Sequence, residues 1–372
     1  MHKESEKKIR EPLVHLTRRS TMHPAKALGV RAIAILLGLL VCGIVAFLLV
    51  DKLRANPERI GDFDYTFIKG SFATPRKAWK FFKDLAILLC IALALTPAFR
   101  MRFWNTGAEG QTLMGIWGAI AVAFYQGGKI PEWILLILMF FAAIICGAIW
   151  GVIPALFRAK WNTNETLFTL MMNYVASYVV AYFLVVWVPS GSSNLGKLKF
   201  GKLPSIGHEY LLIILVTLLL TVGLHIYVKY SKHGYELNVV GESVRTARYV
   251  GIGVGKVIIR TMFLSGALCG LAGYLIAAGL DQTITKESVG GQGFTAIMVC
   301  WLAKFNPLGM ILTSGIITLL DHGAAQISQD FNVAADFPDV VVGIILFFII
   351  GSEFFINYEL HFRGREKEAQ LK

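Results

Sequence analysis

Long runs of apolar residues separated by short polar interruptions set the pattern of this chain. They fall at residues 32–50, 85–99, 112–125, 133–157, 167–188, 210–228, 257–280, 294–302, 308–320 and 340–355. A helix needs about 20 apolar residues to cross the hydrocarbon of a bilayer, and most of these runs approach that length. The second and third are short for a simple crossing. Short runs broken by glycine or polar residues predict discontinuous helices that line a cavity. The pair flanking Asn306-Pro307 reads either as two brief crossings or as one re-entrant hairpin. The pattern therefore predicts an all-α, polytopic integral membrane protein with about 8–10 transmembrane helices, some short or broken.

One polar island, residues 235–255, separates two of the longest runs. Within it Ser243 stands where a helix N-cap would, followed by Arg245 and Arg248 three residues apart. That arrangement predicts a short surface helix.

Composition narrows the class: 55% of the 372 residues are hydrophobic and only 16% charged, too few charges for a soluble domain. The formal net charge of +12 would suit nucleic acid, but the basic residues sit in short loops beside apolar runs and nothing resembles a recognition module, so no nucleic-acid partner is expected. Basic loops instead encode orientation in a lipid bilayer. They predict a cytoplasmic N-terminal segment at 1–29, a membrane domain at 30–356 and a cytoplasmic tail at 357–372. Within the membrane domain, 51–84 reads as an outside loop and 229–256 as a cytoplasmic loop that contains the island. The 189–209 loop, expected outside, is also basic, so the asymmetry is a bias. The polar residues ahead of the first run, with no small-residue cleavage site after it, argue against a signal peptide. All five cysteines lie in apolar runs without CxxC spacing, which reads as packing, with neither disulfide nor metal site.

Chemistry of the chain's own finds little support. Gly255-Lys256 imitates a nucleotide P-loop, but Val250 and Val257 occupy the positions that need glycine and Ser or Thr. HExxH and GxSxG are absent, so no catalytic residue and no bound cofactor are expected. Polar residues at membrane depth are more informative. Asn105, Glu109 and Gln111 open the third run; Glu109 must face a cavity, pair with a cation, or sit as an interfacial cap stabilised by the helix dipole. Asn164 and Glu165 lead into Thr169 and Asn173, and residues 165, 169 and 173 share one helical face. Such a stripe either lines a translocation pathway or bonds to a neighbouring helix. Gly147 with Gly151, and Gly266 with Gly270, have the GxxxG spacing of close helix packing. The glycine-rich stretch 288–294 reads as a sharp turn or hinge.

Four blocks together are similar to a known family: WNTGAEGQ at 104–111, NETLFTLMMNYVA at 164–176, GESVRTARYVGI at 241–252 and GGQGFTAIMVCWLAKFNPLG at 290–309. They resemble the permease subunits of bacterial ABC importers, in the branch of branched-chain amino acid, ribose and nucleoside permeases. The nucleoside group, with blocks near WNIGAEGQ, TNEVISTLMLNYIA, GENPEAARYAGI and GFTGIAVALLGRLNPLG, is the most similar. This chain departs from those blocks at Thr106, Ser243, Val244, Ala296, Met298, Cys300, Trp301 and Ala303.

The resemblance implies a non-catalytic translocation subunit of the inner membrane, carrying a small polar solute such as a nucleoside. It implies a separate ABC ATPase that binds ATP and Mg, a second permease subunit, the same or related, and an extracytoplasmic binding lipoprotein or periplasmic protein. By the same resemblance the ATPase docks on Gly241, Glu242, Ser243, Arg245, Ala247, Arg248, Tyr249 and Gly251. The alternative from the residues alone is an ion-coupled secondary transporter with Glu109 and Glu165 as proton-linked carboxylates.

Overall fold

The computed structural model describes residues 14–19, 22–49, 69–188, 195–205, 207–331 and 337–362. Most of the expected outer loop, 51–68, and the chain ends at 1–13 and 363–372 lie outside the described residues. Helices dominate: α1 (Pro24–Leu49), α2 (Pro75–Arg100), α3 (Ala108–Gln126), α4 (Glu132–Trp161), α5 (Glu165–Trp187), α6 (Leu211–Tyr230), α7 (Lys232–Glu242), α8 (Val244–Tyr249), α9 (Val254–Ile276), α10 (Gln292–Leu302), α11 (Pro307–Phe331) and α12 (Phe337–Asn357). Among the described residues seven helices are long and apolar enough to cross a membrane.

Two run lengths come out differently from the hydropathy pattern. The second run, 85–99, belongs to a 26-residue helix. Arg76, Lys77, Lys80, Lys83 and Asp84 interrupt the apolar run but not α2, whose start is fixed by Thr74 accepting from Lys77 N–H (3.3 Å) and by Pro75 in the first turn. Likewise α11 continues for 25 residues, beyond the expected 308–320. The pair at Asn306-Pro307 is thus neither two brief crossings nor a re-entrant hairpin. It joins one full-length helix to α10, whose 11 residues span about 16 Å, half of a hydrocarbon core about 30 Å thick.

The chain forms two units, residues 71–320 and residues 1–70 with 321–372. In the second, α1 packs on α12, where Cys42 donates to Val341 O and Arg31 pairs with Glu353. Two strands absent from the all-helical expectation, β1 (Val14–Arg18) and β2 (Tyr358–Phe362), form an antiparallel ribbon that pairs Val14 with Phe362 and Arg18 with Tyr358.

In the larger unit α2 is the central post, with every residue from 86 to 99 buried. Helices α9, α10 and α6 surround it. The tightest crossing is α4 on α9, and here the GxxxG expectation is met. A Cβ at Gly147 would lie 2.5 Å from Gly266 O and 2.8 Å from Gly270 Cα. On α3, a Cβ at Gly115 would lie 2.7 Å from Gly270 Cα. Small residues are what allow helix backbones to touch where lipid offers no hydrophobic driving force.

This seam yields a test. Gly266→Leu must displace backbone and costs about 3 kcal/mol or more. It is expected to lower the thermal midpoint and monodisperse yield in detergent, whereas Gly223→Leu on α6, where nothing lies within 4 Å, leaves both unchanged.

Candidate functional site

The island folds as two helices and a cap. Ser231 starts α7 by accepting from Gly234 N–H (2.9 Å). Ser243 starts α8, accepting from Thr246 N–H (3.2 Å) as its position suggested. α8 has only six residues, too few to stand alone, and its end is closed by a double bond pattern. Gly251 N–H donates to Arg248 O (3.1 Å) and Ile252 N–H to Ala247 O (2.9 Å), with Gly251 at φ 81°. This is a Schellman cap, and the left-handed position is why glycine stands at 251.

Beneath the two helices lies a buried apolar cluster of Ala98, Met101, Phe103, Ala155, Leu237, Val240, Ala247, Val257 and Met262, with Ile252 packed against it. It joins α7 and α8 to α2, α4 and α9. A Cβ at Gly241 would collide with Arg100 O, so α7 can sit against the end of α2 only with glycine there. His233 is buried between Tyr227 Oη and Thr261 Oγ1, the latter 3.2 Å from Nε2. Burial pushes the His233 pKa down; Arg260 adds to the shift and Glu236 opposes it. Beside the cluster a cavity of about 220 Å³ is lined by Arg158, Glu165, Gly241, Glu242, Ser243 and Val244, among others.

The outer surface of the island is open. Arg245 and Arg248 are exposed, and neither forms an ion pair among the described residues. Tyr249 is 92% exposed and Val250 56%. Of the expected docking residues, Glu242, Arg245, Arg248, Tyr249 and Gly251 face outward, while Gly241 and Ala247 are buried and Ser243 is the cap. They form one contiguous element with a rigid base.

The polar residues expected along a pathway have another arrangement. The side-chain amides of Asn105 and Gln111 exchange two hydrogen bonds (3.2 and 3.1 Å), and Asn105 also donates to Ser265 Oγ (3.2 Å). Thr169 accepts from Thr106 N–H (3.1 Å); Asn173 donates to Thr106 O and accepts from Gly110 N–H, both at 2.9 Å. Asn164 caps α5 through Leu167 N–H (3.2 Å), and Glu165 pairs with Arg158 (3.3 Å). Asn105, Gln111, Thr169 and Asn173 are all buried. The stripe on α5 therefore binds the entry loop of α3.

Glu109 stands in the first turn of α3, as the helix-dipole choice expected, but the helix start it meets belongs to α10. Its carboxylate accepts from Gly291 N–H (2.8 Å) and Gly293 N–H (2.7 Å). These are the first free donors of the half-length helix α10, so an anion meets the positive end of a helix dipole. A Cβ at Gly293 would lie 2.7 Å from Glu109 Cα, which explains a glycine there. Glu109 is thus partnered by the start of α10 and Glu165 by Arg158. Sequence reasoning also passed over Ser265, Thr106 and His233 as partners; only the one-residue difference at Thr106 had drawn attention.

Two outcomes follow. Removing the carboxylate leaves two part-buried donors without their acceptor, a loss of about 1 kcal/mol each. Glu109→Ala is therefore expected to lower the thermal midpoint more than Glu109→Gln, which keeps one acceptor; equal midpoints for all three proteins would contradict the cap. For His233 the folded pKa is depressed below 6.5, so the unfolded chain binds more protons and the stabilisation is lost as pH falls below that value. The thermal midpoint should be lower at about pH 5 than at about pH 8, and His233→Gln should flatten that difference.

With this geometry in place, likeness to known proteins gives the family. A family model described as branched-chain amino acid transport system / permease component matches residues 80–350. The guanosine ABC transporter permease protein NupP of Bacillus subtilis (strain 168) is 31% identical over 269 residues, covering 70% of this chain and 77% of that protein. The glucose ABC transporter permease protein TsgB13 of Haloferax volcanii is 29% identical over 293 residues, covering 73% and 76%. The nucleoside ABC transporter permease protein NupB of Lactococcus lactis subsp. cremoris is 24% identical over 326 residues, covering 79% and 84%. The chain belongs to the branched-chain amino acid transport system permease family, as a multi-pass permease subunit of an ABC transporter.

Proposed function

We propose that this subunit imports a nucleoside across the inner membrane, with its N-terminus in the cytoplasm, and is driven by a separate ATPase that docks on α8. The observation that carries the reading is the six-residue α8: exposed on one side, capped at both ends and seated on the cluster that reaches α2, α4 and α9. A push on such an element moves the spans beneath it as a body. Arg245 and Arg248 supply fixed positive charge for acidic or carbonyl groups in the ATPase groove, and Tyr249 supplies an aromatic anchor. ATP and Mg are held by that ATPase, and this chain performs no catalysis. An extracytoplasmic binding protein delivers the solute, and a second permease subunit completes the path. The solutes for which NupP and NupB are named support nucleoside as the solute class; that of TsgB13 makes a sugar the competitor.

Charge reversal is the test. Arg248→Glu should insert normally yet reduce nucleoside uptake and ATPase pull-down by about tenfold or more, since a misplaced charge at an interface costs several kcal/mol. Pull-down at the wild-type level would sink the docking claim.

A further inference from the structure

The exposed face of α5 is unlike that of the other spans. Along α4 the most exposed side chains include Ile137, Phe141, Ile145 and Ile149, and along α6 Leu215, Leu219, Val222 and Ile226. These are faces made for hydrocarbon. On α5 the exposed face has apolar residues at its ends, Leu167 and Met171 at one and Val185 at the other, but between them it carries Tyr174, Tyr178 and Tyr182, at 59%, 76% and 66% exposure. Their spacing of four residues puts the rings in one row. α5 runs from Glu165 to Trp187, so at 1.5 Å per residue all three lie within about 10 Å of its midpoint. That is the depth at which tyrosine is out of place, because its usual station in a membrane is the interface. Among the described residues the three hydroxyls have no hydrogen-bond partner, and a phenol facing lipid there would lose its hydration without recompense.

Something polar must therefore meet this face. A tightly packed second helix is a poor occupant, since membrane helices approach through small residues, and here the small residue Ala176 is on the buried side while the rings protrude. Water and a ring-shaped solute suit the row better. Aromatic faces stack planar bases and sugar rings, and phenolic hydroxyls can bond a hydroxylated solute.

We infer that Tyr174, Tyr178 and Tyr182 line the solute's path, with their rings stacking on the nucleoside and their hydroxyls turned to water. The buried stripe at Thr169 and Asn173 holds α5 in place, and the opposite face does the contacting. The stacking part rests on the nucleoside reading above; the accessibility of the face does not.

The experiment uses full-length protein with its ATPase, second permease subunit and extracytoplasmic binding protein in proteoliposomes, in a Cys146→Ala background. Single cysteines at Tyr178 and, as a lipid-facing control, at Leu219 are treated with a membrane-impermeant thiosulfonate. Expected is labelling of Tyr178→Cys about tenfold faster than Leu219→Cys, given the low thiolate fraction and absence of water in hydrocarbon. Equal rates overturn the path assignment. Guanosine uptake is then compared for Tyr178→Trp, expected near wild type, and Tyr178→Leu, expected to fall about tenfold, as loss of one base–aromatic stack implies. Wild-type uptake by Tyr178→Leu overturns stacking. If the wild type moves no nucleoside while Tyr178→Cys labels fast, the nucleoside reading has failed and the path assignment stands.

Discussion

Inside a bilayer every backbone donor must find its partner within the protein, and the structure turns on how that demand is met at α10. A helix too short to cross the membrane leaves free N–H groups at its start that need a partner from the protein. Glu109 answers them with two hydrogen bonds to Gly291 and Gly293. To bring the carboxylate there, the chain between α2 and α3 must rise to the same depth, and this irregular stretch has its own polar backbone to satisfy. Asn105, Thr106, Thr169 and Asn173 do so. The buried polar residues of α3 and α5 are thus one consequence of a broken span.

That arrangement leaves the rest of α5 free to act. Its inner face is fixed by hydrogen bonds and its outer face carries tyrosines. At one end of the molecule the cluster around Leu237 and Ala247 makes α7 and α8 continuous with α2, α4 and α9. The glycine seam between α4 and α9 keeps those helices from sliding independently, so displacement of α8 reaches the interior without being absorbed by loose packing.

Much of this was legible in the chain. Run length gave the membrane class, the Ser243 cap was read from one residue type at one position, and GxxxG spacing marked α4 and α9 each as closely packed without saying that they pack on one another. Hydropathy failed where charged residues sit on a helix that continues regardless, as at Lys77 to Asp84 in α2, because helix geometry does not require an apolar residue at each position. The role of Glu109 was illegible for another reason. Its partners are backbone groups 182 and 184 residues away, and a backbone donor leaves no mark on side-chain pattern beyond the two glycines. The stripe at Thr169 and Asn173 was seen as a stripe, but periodicity alone cannot say which side of a helix faces its neighbours. The strands β1 and β2 carried too short a pattern to register.

The central claim is that α8 is where force enters the membrane. Photocross-linking in intact cells from a benzoylphenylalanine placed at Tyr249 addresses it most directly, with the same probe at Lys197 on the opposite side as comparison. The account predicts an adduct from position 249 to a protein whose peptides contain a P-loop, strengthened when ATP is present, and none to that protein from position 197. A P-loop protein captured from 197 and not from 249 would contradict it.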